Sequence, residues 1–102
     1  MTRFVYLYSG GEIAESPEAQ AESMQVWNAW FGALGDAVVD IGNPFGAAST
    51  VTAGGATTGG ASKLGGYSIV EAPSLDDAAS KAGGCPVLTT GGSLEVYEAL
   101  AM

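Results

Sequence analysis

The sequence predicts a single α+β domain over residues 1–102, in which two helices cover one face of an antiparallel sheet. Two observations carry this prediction. Short segments with the two-residue alternation of strands are interleaved with two segments that have the caps and apolar spacing of helices. A chain of 102 residues is also long enough to bury one hydrophobic core without a metal or a disulfide.

The first strand is expected over Thr2 to Ser9, where side chains alternate between two faces. One face carries Phe4, Tyr6 and Tyr8, and the other carries Arg3, Val5 and Leu7. Because both faces are largely apolar, we expect one face to pack against helices and the other against a surface that a second molecule supplies.

A long helix is expected to begin at Ser16-Pro17, where a capping serine precedes a proline at the first helical position. Gly35 is expected to end this helix. Apolar residues recur along it at helical spacing, and we expect them to form one buried stripe that Trp30 and Val26 widen. The stripe consists of Met24, Trp27, Phe31 and Leu34.

The middle of the chain is rich in small residues. Ala37 to Ile41 is expected to be a strand that leads into the turn Gly42-Asn43-Pro44. Residues 47–58 are interpreted as a strand centred on Val51, followed by a glycine-rich bend. The glycines of residues 54–66 lack the spacing of a phosphate-binding loop, so the sequence assigns this segment no role.

A second unit of strand and helix follows. Tyr67 to Ala72 is rich in β-favouring residues, and Pro73 stops the strand. Ser74 is expected to cap a helix that ends at Gly83-Gly84 in a left-handed conformation. Ser93 to Ala99 alternates as a last strand. This order of elements is typical of a ferredoxin-like fold, with an antiparallel sheet and two helices on one face.

The composition narrows the classes of partner. Eleven acidic and three basic residues give a net charge of −8. Such a charge repels phosphate backbones, so nucleic acid is not expected as a partner. Only 14% of the residues are charged and 47% are apolar, so a monomer would leave much apolar surface exposed. We therefore expect a homodimer.

Neither a membrane nor a cofactor is expected. No apolar run approaches the ~20 residues of a membrane span, and no motif for a metal or a cofactor is present. The one cysteine, Cys85, cannot form an internal disulfide, and no apolar leader flanked by arginine precedes the fold. These features predict a soluble cytoplasmic protein.

Catalytic candidates are few, because the chain has no histidine. Asp36 and Asp40 flank a strand that looks buried, and burial would favour either carboxylate as a general base. Solvated strand ends explain the two residues equally well. Cys85 lies between Gly84 and Pro86, and it is interpreted as a small buried residue rather than a nucleophile.

Aromatic residues point to a ligand pocket or a dimer face. Alternation allows four tyrosines to share one sheet face with Glu95, and Trp30 adds a further ring from the long helix. These tyrosines are Tyr6, Tyr8, Tyr67 and Tyr97. Their amphipathic rings suit a small organic ligand and a subunit interface alike. A pocket would leave the hydroxyls of Tyr8 and Tyr97 without intramolecular partners.

Several short motifs, in this order and spacing, resemble the YCII-related family over nearly the whole chain. They are Gly35-Asp36-Ala37-Val38-Val39-Asp40, Gly42-Asn43-Pro44-Phe45, Leu64-Gly65-Gly66-Tyr67, Ser74-Leu75-Asp76, Gly84-Cys85-Pro86 and Gly92-Ser93-Leu94-Glu95-Val96. The resemblance implies a single YCII-like domain with a ferredoxin-like fold. It also implies that two copies pair their open sheet faces into a dimeric α/β barrel.

The chain departs from that family in two places. Some members carry a proposed catalytic histidine on the first helix, whereas the equivalent region here, Trp27 to Trp30, is aromatic. The family's Asp-Gly-Pro-Phe segment is replaced by a shorter glycine-rich stretch. The sequence therefore leaves open whether a reaction is catalysed.

Two functions follow from these expectations. The first is a homodimeric, cofactor-free protein that binds, or slowly transforms, a small metabolite in a pocket beside the sheet face. The second is an interaction module without chemistry, in which the aromatic face only joins subunits. A distant monooxygenase of the kind that dimeric barrels also host has no specific residue in its favour.

Overall fold

The computed structural model describes residues 1–11 and 15–101, and within these ranges it contains six strands and two α-helices. The elements are β1 (Thr2–Ser9), α1 (Pro17–Leu34), β2 (Val38–Asp40), β3 (Ser49–Thr52), β4 (Gly55–Thr58), β5 (Leu64–Ala72), α2 (Leu75–Ala82) and β6 (Ser93–Ala99). Short 3-10 turns span Gly35–Ala37 and Pro86–Thr90. The predicted α+β class, with an antiparallel sheet and two helices, is confirmed.

The main sheet has the strand order β2-β5-β1-β6, and every neighbouring pair is antiparallel. This order is compatible with a ferredoxin-like fold, in which the first strand lies inside the sheet. Val5 of β1 lies opposite Ile69 of β5 and Tyr97 of β6. Leu7 lies opposite Tyr67 and Glu95. The register therefore decides which side chains of the three strands share a face.

Both helices pack on the face that carries Tyr6. The ring of Tyr6 stacks on Trp30 of α1 with 5.9 Å between ring centroids. Its hydroxyl donates a hydrogen bond of 2.5 Å to the carbonyl of Ala78 in α2. The indole nitrogen of Trp30 donates to the carbonyl of Lys81, also in α2, at 3.3 Å. Phe4, Tyr6, Val70 and Ala72 are almost completely buried beneath the helices.

The buried side of α1 differs from the predicted stripe. Met24 and Val26 are 65% and 53% exposed, whereas Trp30 is only 7% exposed. Trp27, Phe31 and Leu34 pack against the core as partly buried residues, as expected. The contact between Trp30 and Tyr6 turns the helix so that its C-terminal half meets the sheet.

The small-residue segment forms a second sheet, which is the hairpin β3–β4. The strand expected around Val51 is confirmed as β3, but the expected bend contains β4 instead. Val51, the largest apolar residue of the hairpin, is 74% exposed, so apolar packing contributes little here. Polar contacts hold the hairpin together instead. The hydroxyl of Thr50 donates to the carbonyl of Gly59 at 2.7 Å and accepts from the amide of Ala61 at 2.9 Å.

Both predicted helix starts are confirmed. The hydroxyl of Ser16 accepts from the amide of Ala19, and that of Ser74 accepts from the amide of Asp77 at 3.2 Å. The expected left-handed exit of the second helix is wrong. Gly83 has φ −60° and ψ −20°, and its amide closes a last tight turn by donating to the carbonyl of Ser80.

Three strand boundaries also differ from the sequence prediction. Ala37 belongs to the 3-10 turn before β2, Ile41 lies after the end of β2 at Asp40, and β5 begins at Leu64 rather than at Tyr67. Within the described part of the chain, no helix combines the length and the apolar character that a bilayer span requires.

Replacing Ser74 with alanine should lower the free energy of unfolding by about 1 kcal/mol, because the amide of Asp77 loses its side-chain acceptor. Chemical denaturation followed by circular dichroism measures the loss. Ser80→Ala on the same helix is the control, since Ser80 is exposed and its hydroxyl caps nothing. Equal stabilities of the Ser74→Ala variant and the wild type would show that the cap contributes nothing.

Candidate functional site

A cleft of about 550 Å³ lies between α1 and the end of the sheet where β1 ends and β5 begins. One wall is α1, which contributes Met24, Trp27, Asn28 and Phe31. The sheet contributes Tyr8 and residues 65–68. The remaining walls are the 41–44 loop and the 3-10 turn that contains Thr89 and Thr90. The cleft is therefore built from four parts of the chain that are distant in sequence.

The 41–44 loop is held against β5 by close backbone contacts. The amide of Tyr67 donates to the carbonyl of Asn43 at 3.2 Å, and the amide of Phe45 donates to the carbonyl of Gly65 at 2.9 Å. Gly42 has φ +76°, and a Cβ atom there would lie 1.8 Å from the carbonyl oxygen of Tyr67. Only glycine fits at this position. The loop can approach β5 closely for this reason.

The lack of a side chain on β5 next to Tyr8 lets the 41–44 loop pack closely at this end of the cleft. The residue paired with Tyr8 is Gly66. A Cβ atom on Gly66 would lie 3.1 Å from the carbonyl oxygen of Asn43 and 3.6 Å from the ring of Tyr8. A larger residue would therefore push the loop away from β5 and change the shape of the cleft wall.

Aromatic rings form the α1 side of the cleft. Trp27 meets Tyr8 edge to face, with ring centroids 5.0 Å apart and an interplanar angle of 85°. Phe31 lies 6.0 Å from Trp27 with an angle of 40°. Such arrangements are favourable between aromatic rings and hold them in place. The cleft therefore presents a rigid aromatic wall.

Two consecutive hydrogen bonds link three residues that line the cleft. The hydroxyl of Tyr8 donates to Ser68 Oγ at 2.8 Å, and Ser68 Oγ donates to the carbonyl of Ile41 at 2.6 Å. Ser68 is completely buried. Burial raises the pKa of Tyr8 above its ordinary value of 10.0. The hydroxyl therefore keeps its proton and serves as a donor.

Among the described lining residues, none carries a charge. Asp36 and Asp40, the two catalytic candidates, lie outside the cleft and are exposed. The carboxylate of Asp40 accepts from the amide of Gly42 at 2.8 Å. The strand between them is short and only partly covered, so of the two alternatives left open by the sequence, burial of these carboxylates is wrong. Both lie at solvated strand ends.

The expectation that four tyrosines share one face is wrong. Tyr6 and Tyr8 point toward the helices, whereas Tyr67 pairs with Leu7 and Tyr97 pairs with Val5 on the opposite face. Alternation shows which residues of one strand share a face, but the pairing between strands had to be assumed from the sequence. The assumed pairing was shifted by one residue, which places a side chain on the opposite face of the sheet. Trp30 belongs to the helix side with Tyr6 and does not line the cleft.

The hydroxyls of Tyr8 and Tyr97 both have intramolecular partners, which is the outcome expected of structural tyrosines and not of a pocket at the tyrosine face. Tyr8 donates to Ser68, and Tyr97 donates to the carboxylate of Glu95 at 2.7 Å. Glu95 shares the face of Tyr97, as predicted, because it lies two residues earlier on β6. This hydrogen bond raises the pKa of Tyr97.

Some cleft residues were not singled out from the sequence. Asn28, Asn43, Thr89 and Thr90 line the cleft as neutral polar side chains. Ser68 gave a usable signal, because it is a polar residue on the inward side of an otherwise apolar strand. Trp27 and Phe31 were predicted as core residues only, and the structure shows that their rings also face the cleft.

Cys85 is 1% exposed, in agreement with its expected role as a small buried residue. Burial raises the pKa of its thiol from 9.0 to about 11. A neutral buried thiol is a poor nucleophile. In residues 1–11 and 15–101, no group of three or more potential ligand side chains is placed to hold a metal ion.

The sheet face opposite the helices is apolar and partly exposed. We call it the open sheet face, and its central side chains are those of Val5, Leu7, Tyr67, Ile69 and Tyr97. Tyr97 is 51% exposed, and the other four are half-buried. Arg3 and Glu71 lie at one end of this face, 3.9 Å apart.

Comparison with known proteins finds no matching family model, and no curated protein or solved structure is significantly similar to this chain.

The bond between Tyr8 and Ser68 should contribute to stability. Ser68→Ala leaves the buried hydroxyl of Tyr8 without an acceptor, which should cost about 1–3 kcal/mol of unfolding free energy. In the double variant Tyr8→Phe/Ser68→Ala, no hydroxyl is stranded, so the loss should be smaller than the sum of the two single losses. Urea denaturation of the four proteins measures this coupling, and strict additivity would contradict it.

Proposed function

We propose that this protein is a homodimer that binds a small organic molecule, without a cofactor, in the cleft between α1 and the sheet. The cleft itself carries the proposal. Its volume of about 550 Å³ lies in the usual range for small-molecule sites, about 300–1,000 Å³. Its lining combines a rigid aromatic wall with a few neutral polar groups, which is the common composition of such sites.

The proposal concerns binding rather than a reaction. Tyr8 holds its proton, Cys85 is buried away from the cleft, and the carboxylates of Asp36 and Asp40 lie outside it. No described lining residue can therefore act as a general base near neutral pH.

The open sheet face supports the homodimer. Five apolar or aromatic side chains lie there without a helix above them, and two copies of the chain would cover each other's face. Such pairing would give the dimeric α/β barrel that the resemblance to the YCII-related family implies. The single buried thiol, with no disulfide, supports a cytoplasmic location.

An interaction module is the second candidate function. The same open sheet face favours it, and the hydrogen bonds of Tyr8 and Tyr97 within the chain are typical of structural tyrosines. In that case the dimer forms and the cleft binds nothing. Both functions therefore predict a dimer, and only the first predicts that the cleft binds a ligand.

Val5→Lys should weaken the dimer, because it places a charge at the centre of the open sheet face. We expect the wild type to scatter light as a particle of about twice the 10.2 kDa chain mass at micromolar concentration. The dissociation constant of the variant should rise at least tenfold, which corresponds to about 1.4 kcal/mol. Val51→Lys makes the same change on the exposed hairpin and should leave the dimer intact. A wild-type particle of one chain would contradict the homodimer.

Asn28→Trp should block the cleft, because Asn28 is exposed on α1 and its side chain lines the cavity. A thermal-shift screen of neutral metabolites should first give a ligand, since saturation at a hundredfold the dissociation constant adds about 2.7 kcal/mol of stability. The shift should disappear in Asn28→Trp and persist in Gln25→Trp, which adds the same ring outside the cleft. Equal shifts in both variants would place the ligand elsewhere, and a screen without hits would favour the interaction module.

A further inference from the structure

We propose that the cleft selects an uncharged, planar aromatic molecule that carries an amide-like group, able both to donate and to accept hydrogen bonds. This inference rests on the proposed function and specifies the class of ligand. It follows from three properties of the lining, which are its shape, its charge and its unused hydrogen-bonding groups.

The shape favours a flat ring system. Trp27 and Phe31 offer rings from α1, and Gly65 and Gly66 add no side chains to the lining. A flat molecule can lie against such an aromatic wall without displacing it. The volume of about 550 Å³ equals the space of on the order of 18 water molecules at about 30 Å³ each, which is enough for a two-ring compound.

The charge of the lining favours a neutral ligand. No described residue of the lining is charged, so none of these residues offers a counter-ion to offset the water that a bound anion or cation would lose. Anions are opposed further by the net charge of −8. The carboxylate of Asp40, next to Ile41 of the lining, lies outside the lining and already accepts from the amide of Gly42.

The hydrogen-bonding groups favour an amide. Thr89 and Thr90 donate to the carbonyls of Pro86 and Val87, so only their oxygen lone pairs remain to accept. The carboxamides of Asn28 and Asn43 make no hydrogen bond to any described residue, and each offers donors and an acceptor. Both residues are exposed, and a ligand that donates and accepts can bond to either side chain.

Three probes of one shape test the inference. They are neutral naphthalene-2-carboxamide, anionic 2-naphthoate and cationic 2-naphthylmethylammonium, and isothermal titration calorimetry on the full chain measures their dissociation constants. The carboxamide should bind at least tenfold tighter than either charged probe. A charged probe that binds as tightly as the carboxamide would overturn this inference while leaving the proposed small-molecule site standing. Failure of all three to bind the folded protein would overturn both.

A charge introduced into the lining should change the preference. Asn28→Lys places a cation in the cleft, and the affinity for 2-naphthoate should rise at least tenfold. Gln25→Lys adds the same charge on α1 outside the lining and should leave all three affinities unchanged. An equal gain in both variants would show that overall charge, not the lining, decides selectivity, and would overturn the inference.

Nuclear magnetic resonance locates the bound probe. Trp27 lines the cleft, whereas Trp30 lies outside it with its indole N–H donated to Lys81. The carboxamide should move the indole signal of Trp27 and leave that of Trp30 in place. A bound probe that leaves Trp27 unmoved lies outside the cleft, and both the inference and the proposed site would then be wrong.

Discussion

The packing of the whole domain depends on the side chain of Tyr6. Its ring stacks on Trp30 of α1 and its hydroxyl donates to the carbonyl of Ala78 in α2, so one residue of a central strand joins both helices to the sheet. Trp30 in turn donates to the carbonyl of Lys81. A buried hydroxyl without a partner costs about 1–3 kcal/mol, so this arrangement favours a single placement of α2 over β1.

This junction also explains where the cleft and the open sheet face lie. Because α1 packs on the sheet through its C-terminal half, its earlier turns do not contact the sheet core. Met24 in these turns is therefore exposed beside the cavity. Gly66, next to Tyr8, then lets the 41–44 loop pack against β5 and form a wall of the cleft. Both helices pack on one face of the sheet, so no helix covers the apolar side chains of the other face.

Local signals predicted most of the fold. Capping at Ser16 and Ser74, the alternation of β1 and the bounds of β6 depend on neighbouring residues, which a single sequence displays directly. The exit at Gly83 was wrong because a right-handed turn, closed by the carbonyl of Ser80, was an equally available ending. The hairpin was only half recognised, because Gly55 begins a strand in a segment where glycine normally indicates a bend.

The candidate site was harder to predict, because it depends on pairing between distant segments. Which tyrosines share a face is decided by pairs such as Leu7 with Tyr67, and a slip of one residue moves a side chain to the opposite face. The cleft likewise depends on the 41–44 loop packing against Gly66 and Tyr8, and this contact between distant segments appears only in the folded chain.

Two short glycine-containing segments shape one wall of this cleft. Gly42-Asn43-Pro44-Phe45 and Leu64-Gly65-Gly66-Tyr67 meet as a loop bonded to the start of β5, and a Cβ atom at Gly42 would collide there. These residues shape the wall, whereas Trp27 and Asn28, outside these two segments, supply its aromatic and polar chemistry. A chain could therefore keep the same loop and strand geometry while substitutions on α1 change the chemistry of the cleft.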